Sequence, residues 1–132
     1  MKQTFSTQQH KERALLIGIS HAQDMQGHLV EDYLEELALL ADTAGVDVVG
    51  SITQNLKRLD PSTYIGKGKV QEIAAKVQDE QIQVVIFDED LSPAQAKNLE
   101  NEIKTKIIDR SALILDIFAK RARTHESKTQ VE

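Results

Sequence analysis

A chain of 132 residues, 40% of them hydrophobic, has the size of one ordinary domain and can bury a core without staples. It has no cysteine, which excludes disulfides and cysteine-held zinc or iron–sulfur centres, and with 4% aromatics and no tryptophan it lacks a base-stacking platform. The net charge of −5 argues at first sight against a nucleic-acid partner, and no apolar run suits a membrane span or a signal peptide, which makes the cytoplasm the expected compartment.

Residues 1–11 are polar and irregular and read as a flexible arm ahead of a domain over 12–121. Ala14–Ile19 is a continuous apolar run, the pattern of a strand buried on both faces. A loop over 20–28 leads to an amphipathic helix carrying Val30, Leu34, Leu37, Ala41 and Ala44 at three- and four-residue spacing, closed by Gly45. Val46–Thr53 is β-branched and reads as a second strand. Residues 54–68, with Pro61 and two glycines, read as a loop before a helix bearing Val70, Ile73, Ala74 and Val77. Val84–Phe87 is a third strand. Ser92, Pro93 and Gln95 form the start signal of the next helix. Lys106–Asp109 is a fourth strand, and Ser111 is the expected cap of a last helix whose apolar face is Leu113, Ile114, Ile117 and Phe118. Residues 122–132 are polar and helix-compatible, the expected start of a helical hairpin. The order β-α-β-α-β-α-β-α implies an α/β fold with a four-stranded parallel sheet.

Charge is unevenly spread along these elements. Asp24–Ser51 holds seven acids and no lysine or arginine, whereas Lys57–Lys69 carries +3 and Lys104–Arg123 carries +4. Within the first basic stretch, Gly66-Lys67-Gly68-Lys69 stands at a helix start, where free N–H groups and the helix dipole favour anions. It reads either as a phosphate site, of RNA or a nucleotide, or as a glycine-rich turn with solvated lysines. Lys57, Arg58 and Lys128 add charge alone; Lys120 and Arg121 also suit the C-terminal end of their own helix.

Other chemistries find no support. Gly45–Ser51 has the glycine spacing of a phosphate loop but no lysine, and it lies in a strand. Val84–Glu89 imitates the acid-ended strand of nucleotide hydrolases without the loop that would make use of it. Asp88, Glu89 and Asp90 are consecutive, so their side chains diverge and no metal site is expected. No Gly-x-Ser-x-Gly elbow and no spaced histidine pair occurs.

Four runs carry a family resemblance: Glu35–Gly45, Tyr64–Val70, Phe87–Gln95 and Asp109–Thr124. Together they resemble the N-terminal domain of HflX GTPases over Glu12–Glu132. The resemblance implies a protein that binds the large ribosomal subunit and ribosomal RNA and helps split or rescue stalled ribosomes under stress. It implies GTP and Mg²⁺ at a G domain beyond Glu132, with this domain as its neighbour and regulator. It also implies that Gly66, Lys67, Gly68, Lys69, Arg110, Arg121 and Arg123 belong to the family's motifs and are the candidates for phosphate or nucleic-acid contact. The 132 residues contain no phosphate loop, switch region or Asn-Lys-x-Asp motif, so they are expected to bind no cofactor and to hydrolyse no GTP alone. The alternative is a nucleotide-binding domain that takes ATP at Gly66–Lys69.

Overall fold

The computed structural model describes residues 11–21 and 28–131, with side chains from 30 to 121 after the gap. Nearly all of the expected N-terminal arm, most of the expected loop over 20–28 and the side chain of Arg123 lie outside the described residues. The elements run β1 (Arg13–His21), α1 (His28–Ala44), β2 (Asp47–Leu56), α2 (Lys67–Glu80), β3 (Val84–Phe87), α3 (Pro93–Ile103), β4 (Lys106–Asp109) and α4 (Arg110–Val131). The four strands form one parallel sheet, as the alternation of elements predicts, and their order is β2-β1-β3-β4.

Two apolar layers flank the sheet. Leu15, Ile17, Val85 and Phe87 point to α2 and α3, meeting Val70, Ile73, Leu99 and Ile103. Ala14, Leu16, Val84 and Ile86 point to α1 and α4, meeting Leu34, Leu37, Leu113 and Ile117. This two-sided burial explains why β1 and β3 are unbroken apolar runs without alternation.

The helix ends repeat the sequence signals with two exceptions. Gly45, at φ +90, closes α1 with Gly45 N–H on the Asp42 carbonyl at 3.0 Å and Val46 N–H on the Ala41 carbonyl at 3.1 Å. Ser92 and Gln95 form a reciprocal cap on α3, with Gln95 N–H donating to Ser92 Oγ at 3.1 Å and Ser92 N–H to Gln95 Oε1 at 2.9 Å. Ser92→Ala is expected to cost about 1 kcal/mol; in urea unfolding it should lower the midpoint and leave the slope unchanged.

The first exception is α4. Its cap is Asp109, whose Oδ1 accepts from Ala112 N–H at 2.9 Å, while Ser111 Oγ donates instead to Asp90 at 2.7 Å. The second is Lys120: because α4 runs on to Val131, Lys120 and Arg121 lie in the middle of that helix and not at its C-terminal end, and Lys120 serves the end of a neighbouring helix instead. Its Nζ donates to the Ala44 carbonyl at 2.6 Å, placing a cation on the negative end of α1. Arg13 does likewise for α2, its Nε donating to the Glu80 carbonyl at 3.0 Å.

Three boundaries differ from the sequence reading. β1 runs on to His21 and β2 to Leu56, because His21 pairs with Leu56 beyond the point where polar residues suggest a loop. The stretch expected to be a loop up to 68 ends earlier, since α2 begins at Lys67 and takes Gly68 and Lys69 into its first turn. The expected apolar face of α4 is also narrower: Leu113 and Ile117 are buried, but Phe118 is 60% exposed because α1 and the sheet cover only one side of the helix.

Candidate functional site

In a parallel α/β sheet every strand-to-helix junction lies at the carboxyl edge, and that edge is where such folds bind ligands. Here it gathers His21, the segment between β2 and α2, the acids after β3, and the β4–α4 junction. Strand order reverses beside β1, between β2 on one side and β3 on the other.

The segment between β2 and α2 is tied down at several points. Asp60 and Tyr64 exchange backbone hydrogen bonds at 2.8 and 3.1 Å, and Asp60 Oδ1 accepts from Ser62 N–H at 2.8 Å. Thr63 Oγ1 donates to the Ile65 carbonyl at 2.8 Å, and Asn98 on α3 holds the Ser62 carbonyl at 3.0 Å. Tyr64 adopts φ +70, a left-handed conformation unfavourable for a bulky side chain. Its ring is buried, and its hydroxyl donates to Glu89 Oε1 at 3.1 Å. Burial, and then the Glu89 carboxylate, push this phenol up to about 12. Tyr64 thus anchors the segment and offers no face for stacking.

The segment delivers the start of α2 into solvent. Gly66 is the N-cap at φ −70 with no side-chain cap, and Gly66, Lys67 and Gly68 are exposed. A Cβ at Gly66 or Gly68 would meet nothing within 4 Å, and neither glycine has positive φ. Neither conformation nor internal packing therefore calls for glycine at these two positions. Lys69 is paired with Glu72 at 2.9 Å. Lys57 and Arg58, earlier in the same segment, are exposed.

Arg110 lies at the same edge but is already engaged. Its Nη1 donates to Asp88 Oδ1 at 2.7 Å and its Nη2 to Glu36 Oε1 at 3.0 Å. The two partners feel the contact unequally. The bond to Asp88, more than its own modest burial is able to offset, raises the Arg110 pKa. Asp88, with a side chain only 7% exposed, stays above its ordinary 3.8 because desolvation outweighs both the hydrogen bond and the charge of Arg110.

The three acids after β3 diverge as their spacing predicts, each to a different partner. Asp88 meets Arg110, Glu89 meets Tyr64 and lies 3.7 Å from His21, and Asp90 meets Ser111. Among the described residues no group of histidine or acid side chains is placed to hold a metal ion.

Of the sequence candidates, Gly66–Lys69 and Arg110 share the carboxyl edge, at helices on opposite faces of the sheet. Arg121 is exposed and lies eleven residues further along α4, ~16 Å away at helical rise, toward the other edge. No compact phosphate group spans that distance, whereas a polymer does. The Tyr64–Glu89 and Arg110–Asp88 pairs were not singled out from the sequence, since only the strand register brings them together.

A family model described as GTP-binding GTPase N-terminal matches residues 31–119. The GTPase HflX of Escherichia coli K12 is 47% identical over 121 residues, 92% of this chain and 28% of the relative. That of Flavobacterium psychrophilum is 42% identical over 121 residues, covering 92% and 29%. This chain thus spans under a third of the length of these relatives. Among solved structures, a GTP-binding protein from the hyperthermophilic archaeon Sulfolobus solfataricus in complex with GDP matches with a TM-score of 0.60 at 28% identity, over 82% of this chain and 30% of the other.

Proposed function

As a member of the GTP-binding GTPase N-terminal family, here the N-terminal domain of an HflX-type GTPase, this chain is one we propose to act as a ribosome-binding module. In this reading it engages ribosomal RNA of the large subunit and helps split or rescue stalled ribosomes. GTP and Mg²⁺ belong to a G domain that lies outside these 132 residues and that this domain contacts and regulates, in the cytoplasm. The chain alone binds no nucleotide and hydrolyses no GTP.

One observation carries the reading: the open start of α2. Two glycines stand where no packing among the described residues requires them, beside Lys67 and N–H groups without a side-chain cap, on a segment held by Asp60, Tyr64 and Asn98. Such a surface lets a phosphate backbone come close at little ordering cost. Lys57 and Arg58 extend the positive surface, and Arg121 and Arg123 on α4 are candidates for a second contact along the same polymer.

The test is co-sedimentation of the chain with large ribosomal subunits across a salt series. Binding should weaken with salt, and Lys67→Gln with Lys69→Gln should flatten the log–log slope by about 1.4–1.8, the loss of two phosphate contacts, Lys69 giving up its exposed partner Glu72 to make the second. Gly68→Ala gives a two-signed check. It should raise stability by up to about 1 kcal/mol, because alanine is the better helix residue and the added methyl meets nothing. It should nonetheless weaken sedimentation with the subunit. Salt-insensitive binding, or Gly68→Ala binding as well as the parent, overturns the reading. Heat released on titrating ATP with Mg²⁺, lost in the double lysine variant, favours nucleotide binding at the same residues.

A further inference from the structure

β2 is an edge strand of ten residues, and among the described residues only β1 pairs with it. Long edges of this kind are usually blunted by proline or lysine, because their outward N–H and C=O groups otherwise recruit another strand. The opposite edge, β4, is only four residues long and begins with an exposed lysine. β2 has no proline, no lysine and no arginine.

A register shift leaves Val49 without a partner between Val48, opposite Ala14, and Gly50, opposite Leu15. Beyond it, Ser51–Leu56 is regular, an outer edge of ~20 Å at strand rise that no other strand covers among the described residues. Ile52 and Leu56 are packed into the α2–α3 core, while Ser51, Thr53 and Asn55, alternating with them along the strand, are exposed. Beside the bulge a groove of about 540 Å³ opens between β2 and α1, floored by Leu16, Leu34, Ala38 and Val48 and rimmed by Glu31 and Glu35.

We propose that the β2 edge and this acid-rimmed groove form a docking site for an extended segment of a partner protein bearing lysine or arginine, added as a fifth strand. The edge supplies main-chain hydrogen bonds, and the groove takes alternate side chains. Charge selects the occupant. Glu31 and Glu35 are exposed, Asp47 is the charged residue on the strand, and Lys76, whose chain passes behind Gly50, is already held by Glu80 at 2.7 Å. A second copy pairing through β2 would set acid against acid, so self-association is disfavoured.

The experiment uses the 132-residue chain and a fluorescein-labelled octapeptide of alternating lysine and valine. A second peptide has the same side chains with alternate backbone nitrogens methylated, and a third has glutamate in place of lysine. The first peptide should bind at least ~10-fold more tightly than either of the others. It should slow amide exchange at Ser51–Leu56. Glu31→Lys with Glu35→Lys should weaken it at least ~10-fold, and Glu31→Gln with Glu35→Gln should weaken it less, with circular dichroism unchanged in both. No binding of the first peptide, equal binding of the methylated one, or indifference to charge reversal overturns the proposal. Protection of the same amides that rises with protein concentration and no peptide also overturns it, in favour of a second copy.

Discussion

Replacement of Arg110 by Met is expected to destabilise the domain by about 3 kcal/mol at pH 7, the largest single effect foreseen here. The loss arises on Asp88, not on the arginine. Asp88 is nearly enclosed at the end of β3, and Arg110 is the charge that makes its ionised form tolerable. Glu36, exposed and reached by the other arm of the guanidinium, adds little. The pH dependence identifies the cause. Desolvation holds the Asp88 pKa above its ordinary 3.8, so the folded state keeps this proton more tightly than the unfolded chain. Its contribution to stability is therefore fully present below 3.8 and is lost as pH rises through the folded value. Removing Arg110 pushes that value higher, which widens the window and deepens the loss. Arg110→Met should thus be much closer to the parent at pH 4 than at pH 7 in urea melts. Adding Asp88→Asn should recover part of the loss at pH 7. A penalty independent of pH would assign Arg110's contribution to packing of its stem.

Gly18→Ala is expected to cost about 1–3 kcal/mol, the usual range for forcing a methyl into a filled core. Gly18 lies in β1 opposite Thr53, against Leu34 of α1. A Cβ there would sit 2.9 Å from both Cγ and Cδ1 of Leu34, a side chain that is itself buried. Because the clash includes the branch carbon, rotation about χ2 alone does not clear it. Leu34→Val in the Gly18→Ala background should restore part of the loss, while Leu34→Val alone should be destabilising. This sign reversal is the signature of direct contact in a double-mutant cycle.

The architecture was legible because each element carries its own local signal. Two-sided burial makes β1 and β3 apolar runs, and Ser92-Pro93 and Gly45 mark helix ends with their own chemistry. What escaped were properties that depend on two elements meeting. Ser111 fits the pattern of a cap for α4, yet Asp109 at the end of β4 takes the Ala112 N–H, and Ser111 donates to Asp90. Phe118 fits a helical apolar stripe but stays largely exposed, since α1 fills only the side occupied by Leu113 and Ile117 among the described residues. The basic residues grouped by charge separate because α4 is a long helix that carries Arg121 away from Arg110. Gly66–Lys69 was visible as a pattern, but the reason to look at it is structural: the two glycines face open space.

The hydrogen bond from Lys120 to the Ala44 carbonyl joins residues 76 apart in the chain. It couples the fraying of the first helix to the docking of the last. Amide protons in the final turn of α1 and in the middle of α4 should therefore exchange with solvent as one cooperative unit. Denaturant that loosens α4 should release both sets together.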